Sequence, residues 1–256
     1  MTVELKQRLG AVWRDPGVAQ LYRYRPAYPA PVFDILRRLI VEPCTVLDAG
    51  CGTGALTRQM TTFAARIDAV DPSAAMIDEA QRLPGGRDTR INWIVGPAET
   101  APLDPPYGLI TTGQSLHWMD HEVVMPRFRD ALAPGGYLVA TDIDWEYAPA
   151  WRDNLIAIFK RYSPINAKEF VVDLFGDLAR RGLFERAGFQ RTSLVPVDLS
   201  VDEFVNALHS TSSLSRATLQ ERTDAFVDEV RALFAERGED RVRFAVAGNL
   251  VWGRPL

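Results

Sequence analysis

The chain has 256 residues, 47% hydrophobic and 24% charged, with 18 Gly, 17 Pro and 2 Cys, the composition of an ordinary globular protein able to bury a core without staples. Lys plus Arg number 29 against 33 Asp plus Glu, a net charge of -4, which excludes a strongly basic nucleic-acid footprint. Cys44 and Cys51 are too few for a disulfide framework or a Cys-rich zinc site. No apolar run approaches the roughly 18 residues of a membrane helix, and MTVELKQRLG lacks the apolar core of a signal peptide, so a cytoplasmic setting is expected.

Residues 31–41 place Val32, Phe33, Ile35, Leu36, Leu39 and Ile40 on one helical face. Thr45–Leu47 is a short apolar strand that runs into Asp48 and a glycine cluster, after which Leu56, Met60 and Phe63 mark an amphipathic helix. Ile67–Val70 is a second strand ending in Asp71, and Ser73 is placed to cap a helix through Met76 and Ile77. Ile91–Val95, Leu109–Thr112 and Tyr137–Thr141 read as further strands, the last after the turn Pro134-Gly135-Gly136. His121–Leu132 has helical spacing but carries Pro126, which predicts a kink or a late start. From Trp145 to about Leu183 the pattern turns helical, with Val171, Leu174, Leu178 and Leu183 apolar along Phe170–Phe184. A strand at Ser193–Leu199 and helices near 201–215 and 218–237 follow. Val242 to Trp252, apolar at period two, closes the chain as a strand, antiparallel at or near the sheet edge.

Strands alternating with helices predict an α/β fold with a parallel sheet covered on both faces. Ligands in such sheets bind outside the carboxyl ends of the strands. The chemistry is therefore expected at Asp48–Gly54, Asp71, Gly96–Glu99, Thr112–Trp118 and Asp142–Trp145.

Val46-Leu47-Asp48-Ala49-Gly50-Cys51-Gly52-Thr53-Gly54 is a strand, a tight turn with glycines at alternate positions, and the start of a helix, a design that lets a ligand approach the backbone. A dinucleotide loop spaces its glycines Gly-x-Gly-x-x-Gly and keeps acids away from the pyrophosphate. Here the third glycine comes one residue early and Asp48 stands two residues before the first. An acid there repels a diphosphate and suits a ligand carrying an ammonium and a sulfonium, as S-adenosylmethionine does.

With these residues the chain resembles the class I S-adenosylmethionine-dependent methyltransferases. The resemblance implies a Rossmann-like, seven-stranded, mostly parallel sheet with helices on both faces, an N-terminal helical lid and a helical insertion after the fifth strand. It implies one methyltransferase domain over 1–256: lid segment 1–30, cofactor-binding core 31–144, helical insertion 145–183, and a C-terminal part 184–256 that completes the sheet. Gly50, Gly52 and Gly54 with Asp48 would form the cofactor loop, and Asp71 would accept both ribose hydroxyls, which suits a carboxylate's two oxygens. Pro72 and Met76 would flank the adenine, with plain core the alternative for Met76. Gly96-Pro97-Ala98-Glu99 stands where relatives often read Gly-Asp-Ala-Glu, so Pro97 replaces an acceptor. The Ala98 N–H would reach a ring nitrogen, and Glu99 either supplies the lost acceptor or is a surface acid.

Gly113-Gln114-Ser115-Leu116-His117-Trp118-Met119-Asp120 and Tyr24-Arg25-Pro26-Ala27-Tyr28-Pro29 narrow the resemblance to small-molecule enzymes of the trans-aconitate methyltransferase group. Gly113, Gln114 and Tyr24 join the cofactor contacts on that basis. Arg25 or Arg23 is placed to pair with a carboxylate of the methionine moiety or of a substrate. His117, at a strand's carboxyl end, is the candidate proton acceptor for a neutral nucleophile, weighed against a loop-pinning role. Trp118, Trp145 and Tyr147 are candidate aromatic walls for the acceptor, weighed against ordinary core.

The histidines show no paired ligand spacing, so no metal is expected. The expected activity is methyl transfer from S-adenosylmethionine, releasing S-adenosylhomocysteine, to a small molecule, with an oxygen nucleophile favoured and neither nucleic acid nor membrane as partner. The alternatives are a protein of this fold that binds the cofactor without transferring methyl and, less favoured, a nicotinamide-dependent dehydrogenase.

Overall fold

The computed structural model describes residues 3–165 and 173–256. In chain order it begins with helices α1 (Val3–Ala11), α2 (Pro16–Leu21) and α3 (Ala30–Leu39), strand β1 (Thr45–Ala49), helix α4 (Thr57–Met60), strand β2 (Arg66–Asp71) and helix α5 (Ala74–Arg82). Strands β3 (Ile91–Val95) and β4 (Tyr107–Gly113), helix α6 (His121–Ala131), strand β5 (Leu132–Tyr147) and helices α7 (Pro149–Tyr162) and α8 (Leu174–Arg180) follow. The chain closes with strands β6 (Phe184–Arg191) and β7 (Val195–Ser200), helices α9 (Val201–His209), α10 (Arg216–Leu219) and α11 (Thr223–Ala235), and strand β8 (Arg241–Pro255). Phe170 and Val171 of the predicted apolar helix lie outside the described residues.

The chain divides into two compact units. One, the sheet unit, comprises Ala27–Asp144, Asp173–Ser193 and Ala247–Leu256; the other comprises Met1–Pro26, Trp145–Val172 and Leu194–Val246. In the sheet unit the strand order is β3-β2-β1-β4-β5-β8-β6, parallel from β3 through β5, with β6 antiparallel to β8. Val46, Ile67, Leu109 and Val139 cluster with Val32, Ile35 and Leu36 of α3 and Met60 of α4. Their chain neighbours Leu47, Ile110 and Leu138 cluster with Val124, Met125 and Phe128 of α6 and Leu178 of α8. Strands apolar on both faces read as continuous runs, which is why the sequence shows runs there and not alternation.

Helix α6 starts at His121, not late: the Asp120 side chain accepts from Glu122 N at 3.1 Å and caps it, and Pro126 is accommodated inside. Strand β6 was not expected. Of its residues only Phe184 is buried, so no apolar period marks it. The predicted helix over 201–215 stops at His209, because the Ser/Thr run beyond it turns its hydroxyls onto the backbone: Ser210 Oγ donates to Ala207 O at 2.6 Å and Thr211 Oγ1 to Leu208 O at 2.7 Å.

In the second unit β7 pairs antiparallel with the first half of β8, from Val195↔Val246 to Ser200↔Arg241, a strand beyond the seven of the path above. Ser200 and Glu203 form a capping box at the start of α9, and α7 packs against α11. The core is aromatic: Trp145, Tyr147, Trp151, Phe204, Phe234 and Phe244 pack with ring centroids 5.3–6.4 Å apart. His209 is buried with its ring 5.6 Å from that of Phe226, its Nδ1 2.8 Å from Leu214 O and its Nε2 without a hydrogen-bond partner among the described residues.

Burial therefore lowers the His209 pKa, outweighing the Leu214 contact, which acts the other way. A histidine held neutral in the fold stabilises above its unfolded pKa, and that contribution is lost as pH falls below about 6.5 toward the lowered folded value. Chemical denaturation at about pH 7.5 and pH 5.5 is expected to show wild type losing stability on the acid side relative to His209→Leu. An equal slope in the two proteins would assign the pH dependence to other groups.

Candidate functional site

The carboxyl ends of β1, β2 and β4 converge on the glycine loop. Gly50, Gly52 and Gly54 all have positive φ, at 71°, 54° and 73°, which L side chains adopt only with strain. Two of them are also sterically required: a Cβ on Gly50 would overlap Ser115 Cβ, and one on Gly54 would stand 2.5 Å from Trp93 Cη2. Gly50 N and Cys51 N both donate to Val70 O, at 2.8 and 3.0 Å, which hangs the loop on the end of β2.

Asp71 ends β2 and is 7% exposed. Its Oδ2 accepts from Gly52 N at 2.8 Å and its Oδ1 from Ser73 N at 2.9 Å. Burial raises its pKa and these two bonds oppose the rise. One backbone donor per oxygen leaves each oxygen a further lone pair, the set a cis-diol needs. A glycine cradle beside a carboxylate with spare acceptors fits S-adenosylmethionine.

Asp48 sits differently. It is 1% exposed, and its oxygens accept from Thr57 Oγ1 at 2.5 Å and Thr111 Oγ1 at 3.0 Å. Burial pushes its pKa up to about 6, the two threonine bonds pulling against it and Asp71 adding to it. The sign is opposite to that of His209. A carboxyl raised in the fold costs stability above its folded pKa, here roughly 3 kcal/mol at neutral pH, and the cost fades as pH falls through about 6 toward 4.

Pro72 is exposed, whereas Met76 is 1% exposed and packed in the core. Ala98 is buried with the α6-side cluster. The Glu99 Oε1 accepts from Asp120 N at 2.9 Å, tying the loop after β3 to the one after β4. A Cβ on Gly113 would stand 2.7 Å from the Tyr28 hydroxyl. Gln114 holds a left-handed φ of 53° and donates from its N–H to Thr141 O at 2.9 Å, carrying the β4–β5 pairing past the strand end. Ser115 Oγ donates to Ala49 O at 2.7 Å. His117 is exposed, its ring 5.0 Å from that of Trp118.

The sheet unit thus holds Asp48, the loop glycines, Asp71, Pro72, Met76, Ala98, Glu99, Gly113, Gln114, His117 and Trp118. Tyr24, Arg25, Trp145 and Tyr147 belong to the second unit. There Trp145 and Tyr147 are members of the aromatic core, and burial pushes the Tyr147 hydroxyl pKa up. Arg25 donates from Nε to Ser210 Oγ and from Nη2 to Ser210 O, both at 2.8 Å, with its guanidinium 4.1 Å from the Tyr22 ring centroid. Thr57, Thr111, Ser115 and Trp93 shape the loop, and Tyr28 the end of β4, without being singled out in the sequence; only Ser115 and Tyr28 lie inside a motif read as informative. Among the described residues no three His, Cys, Asp or Glu side chains group as a metal site.

Residues 46–136 match the family described as "Methyltransferase domain". Trans-aconitate 2-methyltransferase of Pseudomonas aeruginosa is 32% identical over 151 residues, 57% of this chain and 50% of that one. The enzyme of the same name from Variovorax paradoxus is 34% identical over 135 residues, 51% of each. The chain spans about half the length of these curated relatives. Among solved structures, a candidate type II methyltransferase from Anaeromyxobacter dehalogenans superimposes with a TM-score of 0.69 at 24% identity, covering 90% of this chain and 96% of that one. Phosphoethanolamine N-methyltransferase 2 of Haemonchus contortus, solved with S-adenosylhomocysteine, gives 0.52 at 17% identity, over 100% and 61%. The strand order, the glycine loop at the end of β1 and these matches agree: residues 46–136 belong to the methyltransferase domain family, and the sheet has the class I S-adenosylmethionine-dependent methyltransferase fold.

Proposed function

We propose that the protein transfers a methyl group from S-adenosylmethionine to a small-molecule acceptor, and that the nucleophile is a carboxylate oxygen. The observation that carries the cofactor assignment is the left-handed glycine loop held between two buried acids, Asp48 and Asp71. Asp48 just before the loop favours a cationic ligand and disfavours a diphosphate, which supports S-adenosylmethionine over a nicotinamide dinucleotide, while an acid at the end of β2 serves a ribose in either ligand. The carboxylate acceptor is supported by the relatives named for trans-aconitate.

When bound, the cofactor supplies a methyl group on a sulfonium, a carbon already activated for displacement. The chain's own work is then to bind, align and desolvate. The loop glycines let the backbone lie against the ligand, and Asp71 offers one acceptor per ribose hydroxyl. Ser115 and Glu99 hold the segment bearing His117 against the loops after β1 and β3. A carboxylate acceptor is ionised at neutral pH and needs no base.

His117→Gln is therefore expected to keep turnover within about threefold of wild type, with the same pH profile; a neutral hydroxyl acceptor would instead lose roughly 100-fold. A wild-type rise through about pH 6–7 that vanishes in the variant would reassign the nucleophile and make His117 the base. The function itself is tested by incubating methyl-labelled S-adenosylmethionine with small-molecule, RNA and protein fractions. Label is expected in the small-molecule fraction. Label in RNA or protein, or tight binding with no turnover on any fraction, would overturn the assignment.

A further inference from the structure

Asp48 is a buried carboxylate held by two threonine hydroxyls and the Thr57 backbone N–H. Thr111 approaches it from β4 and Thr57 from the first residue of α4, at 3.0 and 2.5 Å. Asp48 precedes Gly50 on β1 and Thr57 follows Gly54, so the Asp48–Thr57 bond closes the two ends of the glycine loop on each other. With both oxygens engaged and almost no exposed surface, this carboxylate acts on a ligand through the loop it closes and through its charge, not by contact.

We propose that Asp48 is a positioning residue whose ionisation gates cofactor affinity, the ionised form binding a cationic ligand and the protonated form releasing it. The proposal rests on the S-adenosylmethionine reading above. Protonation replaces a charge-assisted bond to Thr57 with a weaker neutral one and removes a negative charge beside the loop.

Asp71 at the end of β2 disfavours the charge on Asp48, and burial, Asp71 and Asp48 in turn push up the pKa of the Cys51 thiol in the loop. Arg58, on α4, turns its guanidinium onto Gly54 O and Pro84 O. Among the described residues no cation shifts Asp48, and burial leaves it titrating at about 6. A ligand with an ammonium and a sulfonium supplies the missing positive charge and so holds the proton off. By linkage, its binding releases a proton in mildly acid solution, and its affinity falls as the solution is acidified.

A change at Thr57 tests Asp48 without touching the hydrogen bonds of Asp71. The Thr57 hydroxyl bonds Asp48, whereas the Asp71 oxygens are held by Gly52 N and Ser73 N. Thr57→Val removes a bond that favours the ionised carboxylate and moves its titration to higher pH. A purely structural Thr57 would weaken binding equally at every pH.

The test is calorimetric titration of the full chain with S-adenosylmethionine from about pH 5 to 8, in two buffers of different ionisation enthalpy so that proton release is counted. Wild-type Kd is expected to weaken up to about tenfold per pH unit on the acid side, with release of up to one proton. Thr57→Val should shift that transition to higher pH, and Asp48→Asn should abolish it. A pH-independent wild-type Kd, or an unmoved transition in Thr57→Val, would overturn the proposal even if Asp48→Asn fails to fold. Absence of S-adenosylmethionine binding at every pH would instead overturn the cofactor assignment on which it rests.

Discussion

Asp71→Asn is expected to weaken S-adenosylmethionine binding by roughly 100-fold or more, because two hydrogen bonds to a charged acceptor are each worth about 1.5–3 kcal/mol. The carboxylate has four acceptor sites; Gly52 N and Ser73 N take one on each oxygen. An asparagine keeps one oxygen and turns an amide NH2 toward the other backbone N–H, so it cannot serve both backbone donors and a diol. From the sequence alone Asp71 reads as a strand-end acid with few core contacts, whose loss weakens binding far more than folding. The structure adds a second role: the side chain pins the middle of the glycine loop and the start of the turn into α5. Stability should fall too, by roughly 1–3 kcal/mol for a buried N–H left facing a donor. Calorimetry at a temperature where the variant is folded separates the two effects. A dissociation constant equal to wild type would remove Asp71 from the cofactor site.

The parallel core was legible because strands buried on both faces leave unbroken apolar runs, as Val46-Leu47 and Ile67–Val70 do, and because each ends in a residue whose chemistry breaks the run. Strand β6 was not, since an edge strand with one buried side chain has no period to detect. The glycine loop was legible as spacing, yet the reason for each glycine was not. Ser115 lies 65 positions from Gly50 and Trp93 lies 39 from Gly54, and such approaches are set by strand register, which local pattern does not encode. Asp48 was read as a ligand contact from its charge and position. Which way a side chain points on a strand follows from its register against β4, where Thr111 stands directly opposite. For Trp145 and Tyr147 the sequence left a pocket wall and ordinary core both open, because composition gives a residue's type and not its neighbours.

Gly54→Ala should be among the most damaging single-methyl additions in the protein, and the contrast with Gly135→Ala makes the cause measurable. Both glycines have positive φ, 73° and 84°, so both substitutions carry the left-handed penalty of roughly 1–2 kcal/mol. At Gly135 nothing lies within 4 Å of the added Cβ, and that penalty is the whole cost. At Gly54 the new methyl meets the Trp93 ring at 2.5 Å. That ring cannot swing aside cheaply, because its Nε1 donates to Gly86 O at 2.9 Å and it packs with Cys51, Ala69, Ile77 and Ile91. Overpacking of this kind adds roughly 1–3 kcal/mol. Gly54→Ala is thus expected to destabilise by about 3 kcal/mol or more and to abolish measurable cofactor binding, whereas Gly135→Ala loses about 1–2 kcal/mol and binds normally. Adding Trp93→Leu to Gly54→Ala relieves the steric part alone, so the pair should be more stable than the sum of the single changes predicts by about 1 kcal/mol or more. Urea denaturation of the four variants and the parent measures that coupling. Additive losses would mean that Trp93 does not dictate the glycine at position 54.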